Sequence, residues 1–334
     1  MRLAVVGSGQ IVADFLPHAA DVQGLTLAAI VGTERSRDKL QAIASASGIP
    51  TVYTDLDACL TDPDVDTVWI ALPNALHYAS ARRALLADKH VVCEKPFVLR
   101  PDELTELRAI ATERRLILVE AISNQYLGNV VRMRERLPAL GDLRLVQCEY
   151  SQYSSRYDAF RDGTVLPAFD PAMGGGALMD LGIYALHLVV GLLGTPDDVT
   201  YAAHVERGVD TSGVAVLRYG DVTAVCVCAK DSPGPSRTKL QGTDGVMIID
   251  GTPNEVPSVE IRPRRGETER FTDNAHPHRM VEEFRAFVAM VAALDLDERD
   301  RRLDHSAAVL DVATAALASA GIRLGEQPEG AVAE

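Results

Sequence analysis

Short, continuously apolar segments alternate with helical patterns along the first third of the chain. The apolar segments are residues 3–6, 25–31, 67–72, 90–93 and 116–119, and the helical patterns cover residues 37–46, 77–87 and 101–114. Strands that are apolar throughout are typical of a parallel sheet, which helices cover on both faces. The alternation therefore predicts an α/β domain of the Rossmann type, a doubly wound parallel sheet, over residues 1–121.

After residue 121 the pattern changes to strand-like segments that follow one another with short turns. Helices are predicted over residues 130–137 and 177–193, and strands over residues 143–153, 199–206, 214–219, 223–230, 238–241 and 246–249. Turns such as Tyr219-Gly220-Asp221 favour a large, mostly antiparallel sheet. The tail is helical again at residues 278–294 and 306–320. We expect an α+β domain over residues 122–334, with an open sheet face and last helices that return to the first domain.

Composition narrows the class of protein. The 334 residues carry a formal net charge of -14, which argues against nucleic acid and anionic membranes as partners. No run approaches the roughly 18 apolar residues of a membrane span, and the first strand begins at once, leaving no room for a signal peptide. The five scattered cysteines indicate reduced thiols and a cytoplasmic protein.

The first strand runs into a turn that is typical of dinucleotide binding. Gly7-Ser8-Gly9 supplies a tight turn and a close backbone approach, and Gln10 and Ile11 open the next helix. The free N–H groups of such a helix start bind a pyrophosphate. The third glycine position of the fingerprint holds Val12, so the motif is incomplete.

The residues after the second strand bear on the choice of cofactor. Glu34 suits the ribose hydroxyls of NAD, whereas Thr33, Arg35 and Arg37 suit the 2′-phosphate of NADP. Two arginines at the start of a helix are also compatible with a solvated surface. The set favours NADP and leaves NAD open.

A lysine follows the strand at residues 90–93, in the sequence Glu94-Lys95-Pro96. An ammonium at the carboxyl end of a strand can stabilise negative charge on a substrate oxygen. A solvated surface lysine is the alternative. The Lys95–Pro96 bond is also a plausible site for a cis peptide.

Three polar residues share one face of the predicted helix at residues 177–193. Asp180 and Tyr184 are four residues apart, and His187 follows three later. A nearby ammonium lowers the pKa of a phenol, so Tyr184 can move a proton to or from an alcohol oxygen. Asp180 can orient a hydroxyl group or hold the lysine. A tyrosine and a histidine that merely pack in the core are the alternatives.

Taken in this order, the motifs resemble the Gfo/Idh/MocA oxidoreductases nearly end to end. The shared markers are Gly7-Ser8-Gly9, Pro73-Asn74 with His77, Asp88-Lys89-His90-Val91, Glu94-Lys95-Pro96 and the segment 174–184. The resemblance implies that Lys95 is the catalytic lysine, that Glu94 and Pro96 border the nicotinamide site, and that Leu72, Pro73, Asn74 and His77 lie along the cofactor. Tyr184, as acid/base, resembles the dihydrodiol dehydrogenase and glucose-fructose oxidoreductase branch, as does Glu120-Ala121-Ile122.

Departures from that branch bear on the substrate. Gln125 stands where an arginine is usual, and Ser123 where an aromatic residue is usual, so an aromatic diol fits poorly. A sugar, cyclitol or other polyol agrees better with the polar residues Asn124, Gln125, Tyr153, Arg156 and Tyr157. We therefore expect NAD(P)-dependent hydride transfer on such a small molecule, with a homodimer or homotetramer formed through the open sheet face.

Two other functions remain open on the sequence. One is a non-catalytic dinucleotide-binding regulator, and the other is a glycosidase or lyase that uses bound NAD as a transient oxidant. A metal site is not expected. His276-Pro277-His278 and Cys226-Val227-Cys228 each lack a second half, and alternation places both cysteines on one face of a strand. His278 at a helix start is a further, weaker candidate for the substrate cleft.

Overall fold

The computed structural model describes residues 1–325 and divides into two compact units. The first unit comprises Met1–Ala121 and Met280–Ala307, and the second comprises Ile122–Arg279 and the described residues from 308 to 325. The boundary after Ala121 coincides with the change of pattern in the sequence.

The first unit contains a six-stranded parallel sheet in the order β3-β2-β1-β4-β5-β6. Its strands are β1 Arg2–Val6, β2 Thr26–Val31, β3 Thr51–Tyr53, β4 Thr67–Ile70, β5 His90–Glu94 and β6 Leu118–Ala121. This sheet confirms the predicted Rossmann architecture. The sequence missed β3, because this edge strand has three half-buried residues and no continuous apolar run.

Five helices connect these strands: α1 Gln10–Phe15, α2 Arg37–Ser47, α3 Leu56–Leu60, α4 His77–Leu86 and α5 Pro101–Glu113. Helix α2 ends at Gly48, which has the left-handed φ of 67° that suits a helix C-cap. Asp55 caps α3, accepting a hydrogen bond from the Ala58 amide at 2.9 Å. The short α3 lies in a segment that the sequence pattern did not assign.

The second unit contains an eight-stranded sheet in the order β14-β13-β12-β11-β7-β10-β9-β8. Its strands are β7 Leu143–Ser151, β8 Asp198–Glu206, β9 Val209–Tyr219, β10 Val222–Ala229, β11 Arg237–Gly242, β12 Gly245–Asp250, β13 Val259–Pro263 and β14 Glu269–Phe271. All pairs are antiparallel except β7 with β10, which confirms the mostly antiparallel prediction. The sequence missed β13 and β14, two short strands that carry several charged residues.

The two faces of this sheet differ in burial. Val146 and Cys148 on β7 are buried, whereas Gln147 and Glu149 between them are half-exposed. The half-exposed side chains of β7 and β10 border a shallow cavity of about 330 Å³. This alternation agrees with the expectation of an open sheet face.

Three helices of the second unit precede β8: α6 Gly128–Arg136, α7 Tyr157–Arg161 and α8 Ile183–Leu193. The sequence predicted one α-helix over residues 177–193, but residues Leu178–Gly182 form a π-helical turn that leads into α8. The predicted loop at residues 154–175 contains α7 and two 3₁₀ turns. The helical stretch Pro171–Leu193 is long and apolar enough to cross a membrane, which the sequence analysis did not anticipate; most of it is buried inside the protein, as in a core helix.

Two helices end the described chain: α9 Arg279–Ala293 and α10 Leu296–Ser319. In the first unit, Phe284 of α9 stacks on Phe15 at 3.9 Å between ring centroids and meets the edge of Trp69 at 5.1 Å. The buried Arg299 donates to the carbonyl oxygens of Ala111 and Leu116. The tail therefore supplies part of the core of the first unit.

Candidate active site

The turn after β1 in the first unit has the shape that a dinucleotide needs. Gly7 has a φ of 125° and donates its N–H to Val31 at 2.9 Å. A Cβ at Gly7 would lie 2.2 Å from the carbonyl oxygen of Ala71, so only glycine fits. At Gly9 a Cβ would meet nothing within 4 Å, so this side of the turn is open. Val12, at the third fingerprint position, is fully buried and packs in the core.

The loop after β2 separates the two candidate arginines. Arg37 binds the carboxylate of Glu34 through two hydrogen bonds of 2.7 and 2.6 Å, and these bonds lower the pKa of Glu34 to about 2. Arg35 is exposed and forms no hydrogen bond or ion pair with the part of the chain that the structure describes. The Thr33 amide donates to Ser36 Oγ at 3.0 Å. Arg35 is therefore the arginine available to an anionic ligand.

His77 lies beneath the loops that follow β4 and β5 in the first unit, rather than on the surface. The side chain is fully buried, and its two ring nitrogens each lie 2.9 Å from a backbone carbonyl oxygen, of Leu72 and of Pro96. Burial lowers the pKa of the imidazole. His77 thus links the loop after β4 to the loop after β5, while Leu72, Pro73 and Asn74 are half-buried above it.

Lys95 directly follows β5, is half-buried, and is joined to Pro96 by a cis peptide bond, at the site where the sequence suggested one. Buried carboxylates hold the loop on both sides. Glu94 accepts a hydrogen bond from the Trp69 indole at 3.0 Å, and Glu120 accepts one from the Phe97 amide at 2.9 Å. The side chain of Glu94 therefore points into the first unit, and the loop presents Lys95 from a fixed backbone.

The second unit holds the predicted acid/base residue, Tyr184, and Asp180, which the sequence predicts to orient the substrate. Tyr184, in the first turn of α8, is buried, with its ring centroid 6.0 Å from that of Tyr150. Asp180 lies on the π-helical turn, and its carboxylate oxygen Oδ2 is 2.9 Å from Nζ of Lys230. Sequence reasoning missed Lys230. The missed signal is that Lys230, like Lys95, directly follows an apolar strand.

The amides expected near the substrate instead hold the backbone of α8. Asn124 is fully buried, and its Nδ2 donates to the carbonyl oxygens of Tyr184 at 2.8 Å and Pro253 at 3.0 Å. Gln125 donates to the carbonyl oxygen of His187 at 2.9 Å. The structure thus places Asn124 in the core of the second unit, where it fixes the backbone of Tyr184.

The other predicted substrate residues lie around α7. Tyr153 is exposed and donates its hydroxyl to Asp158 at 2.6 Å, a bond that raises the pKa of the phenol. Tyr157 donates to Glu206 at 3.2 Å, and Arg156 is exposed. The hydroxyls of both tyrosines thus already have carboxylate partners.

The other histidines and cysteines that the sequence singles out differ in burial. His187 is fully buried, and the Nδ1 of His276 accepts the backbone N–H of His278 at 3.0 Å, closing that turn on itself. Cys226 and Cys228 are buried on the same face of β10, as alternation predicts. Burial raises the pKa of the Cys228 thiol to about 12, so it stays protonated at neutral pH.

Known proteins of similar sequence identify the family of this chain. The chain is 34% identical over 307 residues to a scyllo-inositol 2-dehydrogenase (NADP(+)) of Bacillus subtilis (strain 168). The alignment covers 92% of this chain and 93% of the relative. It is 32% identical over 249 residues to D-xylose 1-dehydrogenase (NADP(+)) 2 of Haloferax volcanii, covering 73% and 74%.

A solved structure shares the fold over nearly the whole chain. It is a 3-ketoreductase from Actinomadura kijaniata in complex with NADP and TDP-benzene, with a TM-score of 0.81, 24% identity, and coverage of 97% and 98%. Residues 1–121 match the oxidoreductase family with an NAD-binding Rossmann fold, and residues 122–248 match the GFO/IDH/MocA C-terminal domain. The chain therefore belongs to the Gfo/Idh/MocA family of NAD(P)-dependent oxidoreductases.

Proposed function

We propose that the protein transfers a hydride between NADP and a hydroxyl or carbonyl carbon of a cyclitol, sugar or similar polyol. The names of the two relatives support both the cofactor and the substrate class. The observation that carries the proposal is the position of Lys95. It is a half-buried ammonium at the carboxyl end of β5, where open α/β sheets bind their ligands, on a loop that Glu94 and Glu120 hold in place.

The first unit fits a dinucleotide. The turn from Gly7 to Ile11 would hold the pyrophosphate, since Gly7 tolerates no side chain and Gly9 faces open space. Thr33 and Arg35 would hold the 2′-phosphate. Leu72, Pro73, Asn74 and Pro96 would border the nicotinamide end. The bound cofactor supplies the hydride donor or acceptor.

Three side chains would stabilise charge, transfer the proton and orient the substrate. Lys95 donates a hydrogen bond to the reacting oxygen and stabilises the negative charge that develops there. Tyr184 takes the hydroxyl proton in oxidation and returns it in reduction. Asp180, an acceptor when ionised, binds and orients the hydroxyl groups of the substrate.

Cofactor titration followed by a substrate screen tests the proposal. The fluorescence of NADPH and NADH on titrating the purified protein gives both dissociation constants, and initial rates with inositols, aldoses and ketoses give the substrate class. We expect tighter NADPH binding and turnover of at least one polyol. Binding of neither nucleotide, or a cofactor-bound protein that turns over nothing in a broad panel, contradicts the proposal.

The two arginines make the cofactor prediction specific. Arg35→Ala removes a charged hydrogen bond to the 2′-phosphate, so we expect the Kd for NADPH to rise about 10- to 100-fold with little change for NADH. Arg37→Ala is the matched control, since Arg37 already binds Glu34. An equal effect of both substitutions would show that the loop, rather than Arg35, selects the phosphate.

We also propose that a second copy of the chain covers the open face of the eight-stranded sheet. The half-exposed Val225 and Val227 support this proposal. They are neighbours on that face of β10, and water-exposed apolar side chains that lie together favour association. Light scattering of the purified protein gives the subunit number, and a monomer at micromolar concentration contradicts the proposal.

A further inference from the structure

We infer that Lys230 is a positioning residue of the candidate active site. Its buried ammonium fixes the Asp180 carboxylate that binds the hydroxyl groups of the substrate. The inference rests on the proposed function and extends it to a residue that none of the motifs includes.

The ammonium of Lys230 is sealed inside the second unit. Only 2% of the side chain is exposed, although the residue directly follows β10. Its Nζ lies 2.9 Å from Asp180 Oδ2, donates to the carbonyl oxygen of Ala168, and sits 4.2 Å from the centre of the Phe169 ring. A buried ammonium is unfavourable without a counter-charge and hydrogen bonds. These contacts supply the counter-charge, a carbonyl acceptor and an aromatic face.

The two side chains of the pair differ in exposure, and Asp180 is the one that solvent reaches. The side chain of Asp180 is 32% exposed, against 2% for Lys230. A ligand can therefore reach the carboxylate but not the ammonium. A charge-assisted bond from one side holds the rotamer of the carboxylate. An ionised carboxylate only accepts hydrogen bonds, which suits the hydroxyl groups of a neutral polyol and disfavours an anionic substrate.

The backbone on both sides of the pair is also fixed. The Lys230 amide donates to Thr211 at 2.8 Å, and its carbonyl accepts from the Ser154 amide at 2.8 Å. On the other side, the Leu178 amide at the start of the π-helical turn donates to Asp210 Oδ2 at 2.7 Å. Lys230 and Asp210 thus hold two points of the turn that carries Asp180. A carboxylate held in this way is oriented before the substrate arrives.

A double-mutant cycle tests whether Lys230 acts through Asp180. Lys230→Met, Asp180→Asn and the double variant are assayed with a polyol that the wild-type protein turns over. In the wild-type background we expect Lys230→Met to raise KM more than 10-fold and to change kcat less, because binding of the hydroxyl groups is lost. In the Asp180→Asn background the same substitution should change kcat/KM less than threefold. The Kd for NADPH should stay within twofold throughout.

Lys89→Met is the matched control, because within residues 1–325 the Lys89 ammonium donates only to backbone carbonyls, those of Asp62 and Val65. It should leave KM for the polyol unchanged. If Lys230→Met does not fold, Lys230→Gln, which keeps a donor, replaces it in both backgrounds.

The outcomes separate this inference from the proposed function. An unchanged KM in Lys230→Met, or an equal loss in both backgrounds, overturns the role of Lys230 while the polyol activity stands. A wild-type protein that binds NADPH and turns over no polyol overturns the proposed function, and the inference falls with it.

Discussion

Lys95 and Lys230 each directly follow a strand, one in each unit, yet their surroundings give them different capabilities. Lys95 follows β5 and is half-buried, on a loop held by Glu94 and Glu120. Lys230 follows β10, is sealed from solvent and is paired with Asp180. A half-buried ammonium can bind a ligand directly, whereas a sealed ammonium affects a ligand only through its carboxylate partner. The same place in the chain thus yields a ligand-binding group or a positioning group, depending on burial.

The largest effect should come from Lys95→Met. Removing the ammonium removes charge stabilisation on the reacting oxygen, so we expect kcat to fall about 10³-fold or more. The Kd for NADPH should change less than threefold. Stopped-flow and steady-state rates with the same polyol measure the loss, and a kcat within tenfold of wild type would remove Lys95 from the proposed chemistry.

Tyr184→Phe should have the next largest effect. The substitution removes the proton-transferring hydroxyl and keeps the ring, so we expect kcat to fall about 10²- to 10³-fold with an unchanged melting temperature. Tyr53→Phe in the first unit is the matched control, since it removes the same phenol hydroxyl at a position outside the candidate site, where the group donates to Asp62. Near-normal turnover in Tyr184→Phe would assign the proton to another group.

Lys95→Met should have the larger effect on kcat, whereas Lys230→Met should have the larger effect on the free energy of unfolding. Lys230→Met removes the buried cation that is paired with the partly buried Asp180 carboxylate, and we expect a loss in the free energy of unfolding of about 2 kcal/mol. This is below the 3–5 kcal/mol typical of fully buried pairs because Asp180 is 32% exposed. Lys95→Met should cost less than about 0.5 kcal/mol. Hydrogen exchange of β10, read by mass spectrometry, measures the loss, and Asp180→Asn added to Lys230→Met should recover part of it. Equal protection in both lysine variants would contradict the difference in burial.

The smallest predicted effect concerns Asp210, beside the Lys230–Asp180 pair. Burial raises the pKa of Asp210 from 3.8 to about 6, so the folded protein holds this proton more tightly than the unfolded chain. The stabilisation is complete below pH 3.8 and is lost as the pH rises through 6. Between pH 5 and pH 8 the wild type should lose about 1.4 kcal/mol that Asp210→Asn does not lose. Thermal unfolding of both proteins at the two pH values measures the difference, and parallel pH profiles would contradict it.

Much of the fold follows from local pattern. Continuous apolar runs identified the parallel strands of the first unit, and alternation identified most of the second sheet. The strands β3 and β14 were missed because each has only three residues, and β13 was missed because its alternation covers only the four residues 259–262. The π-helical turn at Leu178–Gly182 was missed because a single wide turn barely changes the spacing of apolar residues.

The candidate site was less predictable, because partners distant in sequence decide what each polar group does. Lys95, Asp180 and Tyr184 stand out from their local motifs. Lys230 does not, since its partner lies fifty residues away and only the folded sheet brings the two together. Likewise, the sequence cannot show that Asn124 binds the backbone of Tyr184 or that His77 lies between two carbonyl oxygens.

The packing of Phe284 against Phe15 and Trp69 has a consequence for synthesis on the ribosome. The first unit needs residues 280–307 to complete its core, but these residues emerge after the whole of Ile122–Arg279. At about 5–20 residues per second, the nascent first unit waits roughly 10–30 s for its last helices. During that interval Phe15 and Trp69 lack the ring that covers them. The nascent chain therefore presents an apolar surface that a chaperone can bind, and the unit that begins first is completed late.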